Sequence, residues 1–90
     1  MAEEFIKDPD AVLDYQWQWA SWLATGDAID TATVTADTGL VVDSSTATSD
    51  TVTAWLSGGT AGENYRVTCR ITTDGGRIDD RTATIKVRQR

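Results

Sequence analysis

The sequence predicts an all-β domain, a sandwich of six or seven short strands, on three observations. Apolar and polar residues alternate with period two along much of the chain, as a strand with one wet face requires. Threonine occupies fifteen positions, and its branched side chain suits a pleated sheet better than a helix. Clusters of Gly, Pro, Asp and Ser interrupt the alternation often enough to leave only short strands between them. Ninety residues, 40% of them hydrophobic and including four Trp, two Tyr and one Phe, furnish one core but not two. A single domain over residues 1–90 is therefore expected, with a short N-terminal arm of about residues 1–8.

Taken in order, Phe5–Lys7 reads as a short first strand ended by Asp8-Pro9-Asp10, because Pro cannot donate to a ladder and Asp favours turns. Leu13–Trp19 places Tyr15, Trp17 and Trp19 on one face and Asp14, Gln16 and Gln18 on the other. Ala20–Leu23 breaks the alternation and reads as a turn of helix, with Thr25-Gly26-Asp27 reversing the chain. In Ala28–Ala36 the residues Ala32, Val34 and Ala36 alternate with Thr31, Thr33 and Thr35. Gly39 permits a bend into Leu40–Val42, and the polar run Asp43-Ser44-Ser45-Thr46 reads as a connection. Thr51–Leu56 turns Val52, Ala54 and Leu56 inward and Trp55 outward, so Trp55 is the aromatic the core explains least. A Gly-rich loop, residues 57–64, leads to Tyr65–Thr73, where Tyr65, Val67, Cys69 and Ile71 share a face. Asp74-Gly75-Gly76 makes a hairpin turn, and a last strand from Arg77 to about Arg88 buries Ala83, Ile85 and Val87.

These strands describe an immunoglobulin-like antiparallel β-sandwich. Tyr65, just after a Gly-rich corner, resembles the tyrosine corner of such domains, whose phenol hydrogen-bonds backbone at the turn. It precedes Cys69 by four residues where antibody domains use two, and there is no second Cys, so the likeness is to the sandwich and not to antibody domains.

Composition narrows the function. The chain has no His, so a Ser or Cys nucleophile lacks its usual base, and Cys69 is expected in the core as a small hydrophobe. Gly58-Gly59 and Gly62 precede no Gly-Lys-Ser/Thr and form no phosphate loop. Asp8, Asp10 and Asp14, or Asp79 with Asp80, supply oxygen ligands but no complete calcium-loop pattern. No enzyme activity, cofactor or metal is expected. The N-terminus lacks a basic start followed by an apolar run, and no apolar stretch approaches the roughly 18 residues of a membrane helix. A single Cys forms no internal disulfide, which suits synthesis in a reducing cytoplasm.

The net charge of −6 disfavours nucleic-acid binding, which relies on Lys and Arg. Residues 1–50 hold ten acids and one base, Lys7, whereas residues 51–90 hold four acids and seven bases. Copies could meet acidic region to basic region in a ring or stack, or interleaved strands could mix the two halves on one surface. The arginines of the last strands could form a basic strip. Trp22 and Trp55, where exposed, would stack on sugars or anchor a protein interface.

Four runs together carry a family resemblance: Lys7-Asp8-Pro9-Asp10-Ala11-Val12-Leu13-Asp14-Tyr15, Trp19-x-x-Trp22-Leu23, Trp55-Leu56-Ser57-Gly58-Gly59-Thr60-Ala61-Gly62 and Arg81-x-x-x-Ile85-x-Val87-Arg88. Over about Lys7 to Arg88 the chain resembles small tailed-bacteriophage structural proteins of the fiber-tail adaptor type. That resemblance implies a virion component of the neck or tail, made in the host cytoplasm and present in several copies around a symmetric connector. Its partners would be other phage structural proteins, namely connector, tail or fibre, with no nucleic acid and no membrane. The expected role is a bridge from tail or connector to fibres or neighbouring tail proteins, with interface residues Phe5, Ile6, Trp22, Trp55, Arg88 and Arg90. A capsid decoration protein and a host-surface or carbohydrate-binding module stand as alternatives.

Overall fold

The structure is a computed structural model describing residues 3–89. Seven strands run in chain order: β1 Glu3–Lys7, β2 Leu13–Gln18, β3 Ile29–Ala36, β4 Leu40–Ala47, β5 Thr51–Gly58, β6 Asn64–Thr73 and β7 Ile78–Val87. They form two sheets, one ordered β1-β7-β6-β3 and the other β2-β5-β4. Compared with the constant-type immunoglobulin arrangement, the first strand has moved from the sheet of β2, β5 and β4 to the edge of the other. The predicted sandwich is thus present, with one pairing that is not antiparallel: β1 runs parallel to β7, Phe5 opposite Ile85 and Lys7 opposite Val87. Parallel neighbours need a long crossover, and here the rest of the domain provides it.

The core is the set of inward positions that alternation selects. Trp17 and Trp19 from the first half meet Val52, Ala54 and Leu56 of β5, Val67, Cys69 and Ile71 of β6, and Ala83, Ile85 and Val87 of β7, all essentially shielded from solvent. Phe5 packs edge-on to Tyr15 at 5.6 Å and Tyr15 edge-on to Trp17 at 4.8 Å, the offset geometry that aromatic quadrupoles favour.

Ala20–Leu23 makes the single hydrogen-bonded turn expected there, in which Trp22 and Leu23 N–H donate to Trp19 C=O at 2.9 and 3.0 Å. One local reading differs from the sequence expectation. Asp43–Thr46 is not a connection but part of β4, paired with β5 after an irregularity between Val42 and Ser44. β4 is an edge strand exposed from Asp43 to Ala47. Polar residues there face water on both sides, so no apolar alternation marks the strand.

The two ends of the sandwich are tied differently. At one, Trp19 and Ile29 N–H donate to the carbonyls of Asp50 and Ser49 at 2.8 and 2.9 Å, stitching the β4–β5 turn across both sheets. Asp27 accepts from the Ala28 and Gly75 amides at 2.9 and 3.1 Å, which joins the β2–β3 loop to the β6–β7 hairpin. The Thr73 hydroxyl first, then those two amides and nearby Arg77, hold the Asp27 carboxyl below its ordinary pKa.

At the other end, the Thr60 N–H donates to the Tyr65 hydroxyl at 2.9 Å, the corner expected from sequence. Gly59 makes the corner possible: its φ is +92°, and a Cβ there would lie 2.7 Å from Val87 Cγ2. Lys7, wholly buried, fastens β1 to the same corner, its Nζ donating to Gly58 C=O at 2.8 Å and Asp8 C=O at 2.9 Å.

Candidate functional site

The sandwich offers two broad outer faces, and they are chemically unlike. On the four-stranded sheet, every second residue of β6 and β7 points outward, and this brings the bases of the C-terminal half beside acids. Arg66 Nε lies 3.6 Å from Asp37, Lys86 Nζ 3.2 Å from Glu4 and Arg70 Nε 2.8 Å from Asp80. The Arg70 pair is bidentate, with Nη2 donating to the second Asp80 oxygen at 3.1 Å, the fork geometry that planar guanidinium suits. Arg70 holds the Asp80 carboxyl below its usual value and has its own pKa raised in turn.

A shallow hollow of about 330 Å³ opens on this face, lined by Thr33, Thr35, Thr68, Arg70 and Asp80. Its charged groups already satisfy each other, and Thr68 shares a hydrogen bond with Thr82 at 3.1 Å.

Other arginines are also engaged within the fold. Arg77 lies 4.3 Å above the Trp22 ring and Arg81 4.2 Å above Trp19, while Trp19 and Trp22 meet edge-on at 5.5 Å. The result is an Arg–Trp–Trp–Arg stack closing one end of the core. Arg81 also donates to Gln18 C=O at 2.7 Å. The C-terminal half is thus basic in sequence, but much of that charge is neutralised or packed where it sits.

The three-stranded sheet is the opposite case. Its strands contain Asp14 and Asp43 and no Lys or Arg; indeed no base occurs between Lys7 and Arg66. Trp55 stands on the central strand of this face, opposite Asp14 on β2 and Ser44 on β4. It is 44% exposed, and Val41, two positions along the same face, is 50% exposed. Ser57 beside them donates to Asp43 at 3.0 Å. Among the described residues, Trp55 has neither an aromatic partner nor a cation over its ring.

The predicted interface residues are therefore dispersed. Phe5 turns inward onto Tyr15, whereas Ile6, its neighbour, is half exposed opposite Lys86. Trp22 is half-buried under Arg77. Trp55 is open. Arg88 donates through Nη1 to the carbonyls of Val87 at 2.8 Å and Glu63 at 3.3 Å, and through Nη2 to Asn64 Oδ1 at 3.0 Å. Arg90 lies outside the described residues. Val41 and Asp14, which flank Trp55, were legible as outward positions from the alternation that turns Leu40, Val42 and Leu13 inward.

The remaining reactive groups do not gather. Burial pushes the Cys69 thiol up to about 11, a neutral thiol with little nucleophilic character. Asp79 and Asp80 sit opposite Ile71 and Arg70 in turn, so they point to opposite faces. Among the described residues no group of three His, Cys, Asp or Glu side chains is placed to hold a metal ion. What the surface presents is contact area of two kinds, one self-neutralised and one acidic with a bare aromatic.

No curated protein matches the chain. A family model does match, over residues 7–86, and that span covers all of β2 to β6 and nearly all of β7. The chain belongs to this family, Gp77, described as the podophage GP4 fiber-tail adaptor protein gp77.

Proposed function

We propose that the protein is a non-enzymatic adaptor of the phage virion that bridges the tail or connector to fibres or neighbouring tail proteins. Several copies surround a symmetric connector after synthesis in the host cytoplasm. The observation that carries this reading is the family match over residues 7–86. The architecture supports it: both ends of the sandwich are tied by backbone and side-chain bonds, so the outer faces form a firm spacer between partners. Ile6 and Trp55 are the outward members of the proposed contact set, while Phe5, Trp22 and Arg88 hold the framework that presents them.

Phage produced from a genome with a nonsense codon in this gene tests the proposal. Particles should keep a filled head and connector but lack fibres or the adjoining tail proteins. Fully fibred particles without this chain would overturn it.

A further inference from the structure

We infer that the outer face of the three-stranded sheet docks a different virion protein, through an Arg or Lys of that partner seated on the Trp55 ring and paired with Asp14. This rests on the adaptor reading and names the chemistry of one of its contacts.

The protein's own tryptophans supply the first argument. Trp19 and Trp22 each lie under a guanidinium of the same chain, at 4.2 and 4.3 Å, the arrangement that the negative face of an indole favours. Trp55 is also large and accessible, yet it stands on a face whose strands contain no base. The cation this ring would take must come from outside.

Charge complementarity supplies the second. Asp14 is the direct cross-strand neighbour of Trp55, and such neighbours have Cβ atoms roughly 5 Å apart. A guanidinium over the indole is therefore within reach of the carboxylate. Asp14 forms no ion pair among the described residues. Val41 adds apolar area at the rim of the same patch, so the centre is aromatic and the border polar, as in a contact with one anchoring residue.

Among the described residues the same bookkeeping of charge favours a different protein over a second copy as the occupant. Arg66, Arg70 and Lys86 are ion-paired, Arg77 and Arg81 lie over tryptophans, and Arg88 is bonded to Glu63, Asn64 and Val87. Lys7 is buried. Matching this face with the described bases of another copy would require breaking these internal contacts, whereas a partner with free Arg or Lys meets it without that cost.

The test uses tail particles assembled without this chain and, separately, the fibre and tail proteins left unattached, to each of which the purified full-length protein is added and bound protein measured across a salt series. Trp55→Ala should weaken binding about tenfold or more, and Trp55→Phe should recover most of it. Asp14→Asn should weaken it about threefold and flatten the salt dependence. Ile78→Ser, on the other sheet, should bind as wild type. Wild-type binding with no effect of Trp55→Ala or Asp14→Asn overturns the inference while leaving the adaptor reading intact. Failure of the wild type to bind overturns both. Loss of binding in Trp55→Ala accompanied by loss of a homodimer also overturns it, because the occupant would then be a second copy.

Discussion

The two outer faces of this sandwich are built from the same kind of strand, yet one is electrically closed and the other is open. On the four-stranded sheet three base–acid pairs neutralise one another across β1, β7, β6 and Asp37 just beyond β3. On the three-stranded sheet Asp14, Asp43 and Trp55 stand without a base among the described residues. The contrast shows that linear charge asymmetry does not translate into two poles. The bases of residues 66–88 find acids, indole rings and carbonyls within the fold, so the unbalanced charge of the chain is left on surfaces that carry only acids.

The contrast can be broken most forcefully at its tryptophans. Trp19→Ala should cost about 3–5 kcal/mol, as truncation of a buried indole in a packed core does. Trp55→Ala should stay within about 0.5 kcal/mol of wild type in the same urea titration, as exposed positions do. If the two variants lost similar stability, Trp55 would be a structural residue and not a docking one.

A smaller effect is expected at the corner beneath the closed face. Tyr65→Phe leaves the ring in place but removes the acceptor for the Thr60 amide, which should lower stability by about 1–2 kcal/mol. Urea unfolding of the pair measures it. Arg77→Ala uncovers the Trp22 ring and should cost about 0.5–1 kcal/mol. It should also raise the quenching of tryptophan fluorescence by iodide, an effect that Arg66→Ala would not produce.

The smallest effect concerns acid. Arg70 depresses the Asp80 pKa, and the Thr73 hydroxyl with two amides depresses that of Asp27. Stability from both groups is fully present above their unfolded pKa and is lost as pH falls through the lower folded values. Tm should therefore hold steady above about pH 5 and decline below about pH 4. In Asp80→Asn the decline should be shallower; an identical acid profile would mean the pair contributes nothing.

Much of the fold was legible in the sequence because burial leaves a period of two. The inward sets Trp17–Trp19, Val52–Leu56, Tyr65–Ile71 and Ala83–Val87 all follow from alternation, and the corner at Tyr65 followed from glycines just ahead of an aromatic. The far half of β4 did not, since an edge strand with water on both sides carries no apolar period. Nor did the parallel pairing of β1 with β7, which depends on topology across the whole chain. Trp55 could be singled out because parity alone placed it outside. Trp22 could not be separated from it, because the guanidinium that covers Trp22 comes from Arg77, 55 positions later in the chain. The internal pairing of Arg66, Arg70 and Lys86 was hidden for the same reason: which acid meets which base is a property of strand register.

A reconstruction of the intact particle at side-chain resolution tests the central claim most directly. Trp55 should lie buried against another virion protein with an Arg or Lys over its ring and Asp14 beside it, while the hollow lined by Thr33, Arg70 and Asp80 keeps its own pairs. A particle in which Trp55 faces solvent and the four-stranded sheet is the covered face would contradict it.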